Sequence, residues 1–60
     1  MNDATKYLNA LKGNNGNFDE ISLGETLGFS EGKTKDIIKT LLDLGEIEFQ
    51  SFGLCSYRVK

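Results

Sequence analysis

The stretch that decides the fold runs from Leu23 to Gly45 and reads LGETLGFSEGKTKDIIKTLLDLG. Gly28 follows an apolar helical pattern, at a position where the end of a helix favours a left-handed residue. Ser30 comes two residues later, where a serine hydroxyl can accept hydrogen bonds from the first N–H groups of a new helix. Because only a short turn joins the two helices and both must bury an apolar face, the pattern predicts a helix-turn-helix.

The second helix of this pair has one apolar and one polar face. At about 100° per residue, one broad arc contains Thr34, Ile37, Ile38, Leu41, Leu42, Leu44 and Gly45. The opposite arc contains Gly32, Lys33, Lys35, Asp36, Lys39, Thr40 and Asp43. The first arc is therefore expected to face the core, and the second to face solvent or a ligand that attracts lysine.

A further helix is predicted before this pair. Asn2 or Asp3 can cap it, and its apolar stripe consists of Ala4, Tyr7, Leu8 and Leu11. Lys6 and Lys12 lie off the stripe, where they could contact a phosphate backbone. Residues 13–17 read Gly-Asn-Asn-Gly-Asn, which predicts a turn.

The segment that follows this turn should return the chain to the core. Phe18 is expected to be buried and could add a short third strand to the sheet predicted below. Asp19 is the expected N-cap of the second helix, in which Gly24 marks a close helix crossing. Glycine at this position costs about 1 kcal/mol of helix propensity relative to alanine.

Gly45 is expected to end the second helix of the helix-turn-helix as a left-handed residue. After Gly45 the apolar period changes from 3.6 to 2. Ile47 and Phe49, and later Cys55, Tyr57 and Val59, alternate with polar residues, which predicts two half-buried strands joined through residues 51–53. The Phe52 side chain at the tip is either tucked under the hairpin or exposed. Cys55 is expected to be a small buried hydrophobe, because no basic neighbour or histidine would activate it.

The residues from Phe18 to Val59 resemble the winged helix-turn-helix of bacterial and archaeal transcription regulators. The resemblance rests on Leu23-Gly24-x-x-Leu27-Gly28-Phe29-Ser30, followed by Ile38, Leu41, Gly45 and Ile47. It implies one domain over residues 1–60, of the α+β class, with three helices and a C-terminal two-stranded hairpin called the wing.

The resemblance also implies sequence-specific DNA binding and a role in transcription regulation. The helix at about 31–44 would be the recognition helix and would enter the major groove of double-stranded DNA. The implied DNA-binding residues are Ser30, Gly32, Lys33, Lys35, Asp36, Lys39 and Arg58. Lysine can donate to guanine or to phosphate, and a helix N-terminus can hold a phosphate. Asp36 departs from the family pattern, in which arginine or another polar residue is common at this position, and its carboxylate repels phosphate. The alternative function is a winged-helix module that binds another protein without DNA.

Composition limits the other classes of function. The chain has 60 residues, a net charge of −2 and no histidine, so neither a catalytic set nor a metal site is expected, and no cofactor is implied. A single cysteine suits a reducing cytoplasm, and no apolar run is long enough to span a membrane. The chain could be complete or part of a longer protein.

The expected core and the expected oligomeric state complete the predictions. The core should contain Leu8, Leu11, Leu23, Leu27, Phe29, Ile38, Leu41, Ile47, Phe49, Tyr57 and Val59. The apolar residues least needed inside are Tyr7, Leu44, Phe52 and Leu54, and a homodimer would use them. Of these, Leu44, Phe52 and Leu54 could form a patch that contacts a protein partner. In isolation the chain is expected to be a monomer or a weak homodimer.

Overall fold

Residues 2–60 are described by a computed structural model, in which three helices precede a two-stranded antiparallel sheet. The helices are α1 (Asp3–Asn14), α2 (Glu20–Thr26) and α3 (Glu31–Asp43). The strands are β1 (Ile47–Phe49) and β2 (Tyr57–Val59). The predicted α+β class and the order of the elements are confirmed.

The ends of the helices lie where the capping residues place them. Asn2 caps α1, Asp19 caps α2, and the Ser30 hydroxyl accepts from the Lys33 N–H of α3 at 3.1 Å. Gly28 and Gly45 follow α2 and α3 with φ of 84° and 73°, as the sequence predicts for residues that end helices.

Helices α2 and α3 cross at Gly24 and Thr34. A Cβ added at Gly24 would lie 2.0 Å from the Thr34 Oγ1 atom, so only glycine permits this approach. Thr34 is fully buried, and its hydroxyl donates to the Ser30 carbonyl at 2.9 Å. The prediction of a close crossing at Gly24 is therefore confirmed.

The core lies where the three helices meet the inner face of the sheet. Its buried hydrophobic residues are Tyr7, Leu11, Leu23, Phe29, Ile37, Ile38, Leu41, Ile47 and Cys55. Four further predicted members, Leu8, Leu27, Tyr57 and Val59, are partly buried and pack against this cluster. The prediction that Tyr7 is not needed inside is wrong. Its ring is fully buried, and its hydroxyl donates to the Glu20 carbonyl at 2.9 Å.

Phe49 was expected in the core and instead lies 70% exposed. It shares the inner face of β1 with Ile47, which is 1% exposed, because alternate residues of a strand point the same way. The helices cover the beginning of this short strand but not its end. The Phe49 ring packs edge-on against Tyr57 with a centroid distance of 6.3 Å.

The prediction that Leu44 and Gly45 belong to the buried face of α3 is wrong. The helix ends at Asp43, and Leu44 and Gly45 lie in the turn that leads to β1. Leu44 is therefore 67% exposed, and Leu42 in the last turn of the helix is 39% exposed. Thr34, Ile37, Ile38 and Leu41 form the buried face.

The expectation that Phe18 is buried and could form a third strand is also wrong. The side chain is 49% exposed, and within residues 2–60 the sheet has only two strands. The buried side chain of Asn14 explains this. Its amide donates to the Phe18 carbonyl at 2.9 Å, and its oxygen accepts from the Phe18 N–H at 3.0 Å. Both backbone groups that a strand would use are thus engaged.

The hairpin has a longer connection than predicted, because β2 begins only at Tyr57. Gln50 organises this loop: its amide donates to the carbonyls of Phe52 and Cys55, and its oxygen accepts from the Phe52 N–H. Phe52 is 74% exposed, which decides the open question about the tip. Cys55 is buried and free, as expected.

Within residues 2–60, no helix is both long enough and apolar enough to span a lipid bilayer.

Candidate functional site

The outer face of α3 is the candidate site that the sequence indicates, and it is solvent-exposed. The buried side of α3 packs on α1, α2 and β1, which fixes the opposite side toward solvent. The predicted residues on and beside this helix are all exposed: Ser30, Gly32, Lys33, Lys35, Asp36 and Lys39. The structure therefore brings together every predicted site residue except Arg58.

Lysines and carboxylates are balanced on this face. Lys33, Lys35 and Lys39 carry positive charge, while Glu31, Asp36 and Asp43 on the same helix carry negative charge. The Lys35 Nζ lies 2.9 Å from a Glu31 carboxylate oxygen, one helical turn earlier. The hydrogen bond to Glu31 raises the pKa of Lys35 and keeps it charged.

Lys33 is held by two partners at the beginning of α3. Its Nζ lies 2.5 Å from the Asp3 carboxylate of α1 and 4.9 Å from the centre of the Phe29 ring. The Lys33 hydrogen bond lowers the pKa of Asp3 from its ordinary value. An ammonium above an aromatic face is stabilised by the ring quadrupole. Lys33 is thus pre-positioned beside the Ser30 cap.

Lys6 joins this group from α1, with its Nζ 5.8 Å from the centre of the same Phe29 ring. Sequence reasoning gave the lysines of α1 only a minor phosphate-binding role and did not place Lys6 beside α3. The only sequence signal is that Asp3 and Lys6 lie three residues apart, on neighbouring positions of one helix face. Their position next to α3 depends on the packing of α1 against α3.

Arg58 lies apart from the α3 lysines. It belongs to the outer face of the hairpin, where its Nε lies 2.8 Å from a carboxylate oxygen of Glu48 on the neighbouring strand. Both side chains are largely or partly exposed. Arg58 was expected to form one site with the α3 lysines. Its observed partner is Glu48 of the hairpin, and it lies apart from those lysines.

A shallow groove borders α3 on the side away from Lys33. Its volume is about 370 Å³. The lining residues are Glu20, Ile21, Lys35, Ile38, Lys39, Leu42, Asp43 and Tyr57. Apolar side chains form its floor, and two positive and two negative groups form its rim.

The acidic side chains and Cys55 bear on metal binding and on nucleophilic chemistry. Among residues 2–60, no three His, Cys, Asp or Glu side chains lie close enough to hold a metal ion. Burial raises the pKa of the Cys55 thiol, which disfavours the reactive thiolate.

Comparison with known proteins adds no family to these observations. The chain matches no protein-family model, and comparisons with curated proteins and with solved structures likewise find no match.

Proposed function

We propose that this protein is a winged helix-turn-helix DNA-binding protein that regulates transcription, with α3 as its recognition helix. The observation that carries the proposal is the outer face of α3. It presents Lys33, Lys35 and Lys39 to solvent, while the opposite face of the same helix is fixed in the core. The proposed activity is binding alone, without catalysis.

The proposed complex places the first turns of α3 in the major groove of duplex DNA. Of the two grooves, only the major groove is wide enough to admit an α-helix. Residues near the N-terminus of α3 would reach the base edges there. Lys35 and Lys39 would donate to bases or phosphates. Lys33 and the free N–H groups beside the Ser30 cap would hold a phosphate. Gly32 has no side chain to keep the DNA backbone away.

The ion pairs on this face set the expected strength of binding. A phosphate must replace Asp3 at Lys33 and Glu31 at Lys35, and exposed pairs of this kind contribute little to stability. With net charge −2, the chain gains little attraction to DNA over long distances. Affinity should therefore be modest, with a log–log salt slope of about −3 to −4 for contacts by Lys33, Lys35, Lys39 and Arg58.

Titration of the labelled protein with duplex DNA at low salt, followed by NMR, tests the proposal. Amide shifts should concentrate in residues 30–39 and in the hairpin. A double variant with Lys35→Glu and Lys39→Glu should lose binding. A control with Lys12→Glu and Lys60→Glu carries the same net charge but changes lysines outside α3, so it should keep most of the affinity. If duplex DNA at millimolar concentration shifts neither region, the proposal is wrong.

A second variant tests the role of Asp3. Asp3→Asn removes the carboxylate that holds Lys33 and should strengthen DNA binding at low salt. Glu46→Gln changes the net charge equally at an exposed position before β1, and it serves as the control. Equal strengthening by both variants would mean that only the overall charge matters, and that Lys33 makes no local contact.

A protein-interaction module is the second candidate, and the exposed apolar residues favour it. Leu44, Phe52 and Leu54 are 67%, 74% and 69% exposed. Buried aromatic anchors contribute much of the energy at protein interfaces, and Phe52 is the aromatic member of this set. Phe52→Ala distinguishes the two functions, because it should leave DNA binding nearly unchanged and should weaken a protein complex strongly.

A further inference from the structure

The outer edge of β2 is open. Ile47 pairs with Val59, Glu48 with Arg58 and Phe49 with Tyr57. The Gln50 N–H donates to the Ser56 carbonyl, and the Lys60 N–H donates to the Glu46 carbonyl. Hydrogen-bonded pairs alternate along an antiparallel ladder, so Glu48 and Arg58 form the next such pair. The backbone N–H groups of Tyr57 and Val59 therefore point away from β1.

Within residues 2–60, no backbone segment pairs with this edge. The segment that could do so contains Phe18, whose N–H and carbonyl are both bound by the buried Asn14 amide. The linker meets the hairpin instead through one backbone hydrogen bond of 3.0 Å, from the Leu54 N–H to the Gly16 carbonyl. In the described part of the chain, the position of a third strand is thus left unfilled.

A cleft of about 370 Å³ lies along the open edge. One wall is the last turn of α1 with the following linker, and the other is β2 with the hairpin loop. The lining residues are Leu11, Lys12, Asn14, Asn15, Gly16, Gln50, Phe52, Tyr57, Arg58 and Val59. Lys12 and Arg58 are positively charged, and no lining residue is negatively charged, although the whole chain is acidic.

We propose that this cleft binds an extended acidic segment of a partner protein as an added strand beside β2. The edge N–H groups of Tyr57 and Val59 would supply the backbone hydrogen bonds that give affinity in strand addition. Side chains of an extended segment alternate between two faces. Apolar residues on one face would meet Leu11 and Val59, and carboxylates on the other would meet Lys12 and Arg58.

The charge of the cleft selects the acidic partner. Arg58 is held by Glu48, but both groups lie on the exposed outer face of the hairpin, where an ion pair is weak. A carboxylate of the bound segment can share the guanidinium, which has several donors. A basic segment would meet two like charges. The cleft shares Arg58 with the proposed DNA contacts but lies outside the α3 face, so the proposal goes beyond DNA binding.

The experiment uses the full chain and a capped hexapeptide of alternating glutamate and valine. NMR titration should shift the Tyr57 and Val59 amides and slow their hydrogen exchange. The same peptide with an N-methyl group on every residue carries methyl groups on both of its edges, so it cannot approach the edge of β2 and should not bind. A hexapeptide of alternating lysine and valine should bind more weakly. The Lys12→Glu variant should weaken binding of the acidic peptide by about twofold to fivefold, whereas Lys39→Glu should have little effect.

Four outcomes would overturn the proposal. The first is no shift of these amides by the acidic peptide at millimolar concentration. The second is equal binding of the N-methylated peptide, which would show that the edge is not used. The third is equal binding of the basic peptide. The fourth is a concentration-dependent shift of the same amides without peptide, together with a dimer in sedimentation, which would identify a second copy of the chain as the occupant.

Discussion

The α2–α3 crossing and the C-terminal hairpin differ in how completely the fold covers them. At the crossing, the Thr34 side chain occupies the space that a Cβ on Gly24 would need. Ile38 and Leu41, on the inner face of α3, are buried. In the hairpin, burial is lost within one strand, from Ile47 at 1% exposed to Phe49 at 70%. The same kind of apolar pattern is thus core in one region and surface in the other. Periodicity identifies a face, whereas neighbouring elements decide whether that face is covered.

The largest expected effect concerns the covered region. Leu41 is 2% exposed, so Leu41→Ala should lower the free energy of unfolding by about 2–5 kcal/mol. The control is Leu44→Ala, because Leu44 is 67% exposed at the end of the same helix and should change stability by less than about 0.5 kcal/mol. Thermal or urea unfolding measures both. If both variants lost a similar free energy of unfolding, the covered and exposed parts of the molecule would not differ as described.

The crossing itself can be tested by adding one methyl group. Gly24→Ala places a Cβ 2.0 Å from Thr34 Oγ1, and the overpacking should cost about 1–3 kcal/mol. Alanine has the better helix propensity, so a helix free of this contact would become more stable instead. A second substitution, Thr34→Ala, should recover part of the loss in a double-mutant cycle. Additive effects of the two substitutions would mean that the helices do not meet here.

The exposed end of the hairpin should respond weakly to truncation. Phe49→Ala removes an exposed ring and its edge-on contact with Tyr57, which should cost about 0.5–1.5 kcal/mol. Ile47→Ala, two residues earlier on the same face, should cost about 2–5 kcal/mol. A loss for Phe49→Ala as large as that for Ile47→Ala would show that this end of the sheet is covered in solution, for instance by a second copy.

The smallest effect is a pH dependence at the beginning of α2. Hydrogen bonds from Ser22 lower the pKa of the Asp19 carboxyl below its ordinary value of 3.8. A lowered pKa in the folded state gives stability that is present above the unfolded pKa and is lost as pH falls through the folded value. Asp19→Asn retains a capping oxygen, so its stability should match that of the parent more closely as pH falls below about 4. An unchanged difference across this range would contradict the cap.

Several features could be predicted from local sequence because they depend on neighbouring residues. The caps at Asp19 and Ser30, the left-handed residues Gly28 and Gly45, and the beginning of α3 all follow from backbone geometry within one turn. The exposed face of α3, with the candidate DNA-binding residues Lys33, Lys35 and Lys39, follows from the helical period alone.

Other features were decided only by tertiary contacts. Tyr7 is buried because its hydroxyl finds the Glu20 carbonyl, and Phe18 leaves the sheet because Asn14 binds both of its backbone groups. The ion pair of Lys33 with Asp3 and the position of Lys6 over Phe29 require α1 to pack beside α3. A hydrogen bond or ion pair between distant residues leaves no periodic signal in the sequence. The hydrophobic pattern of the sequence determined which faces of the helices and strands are apolar. The packing of the helices determined which of those faces are covered.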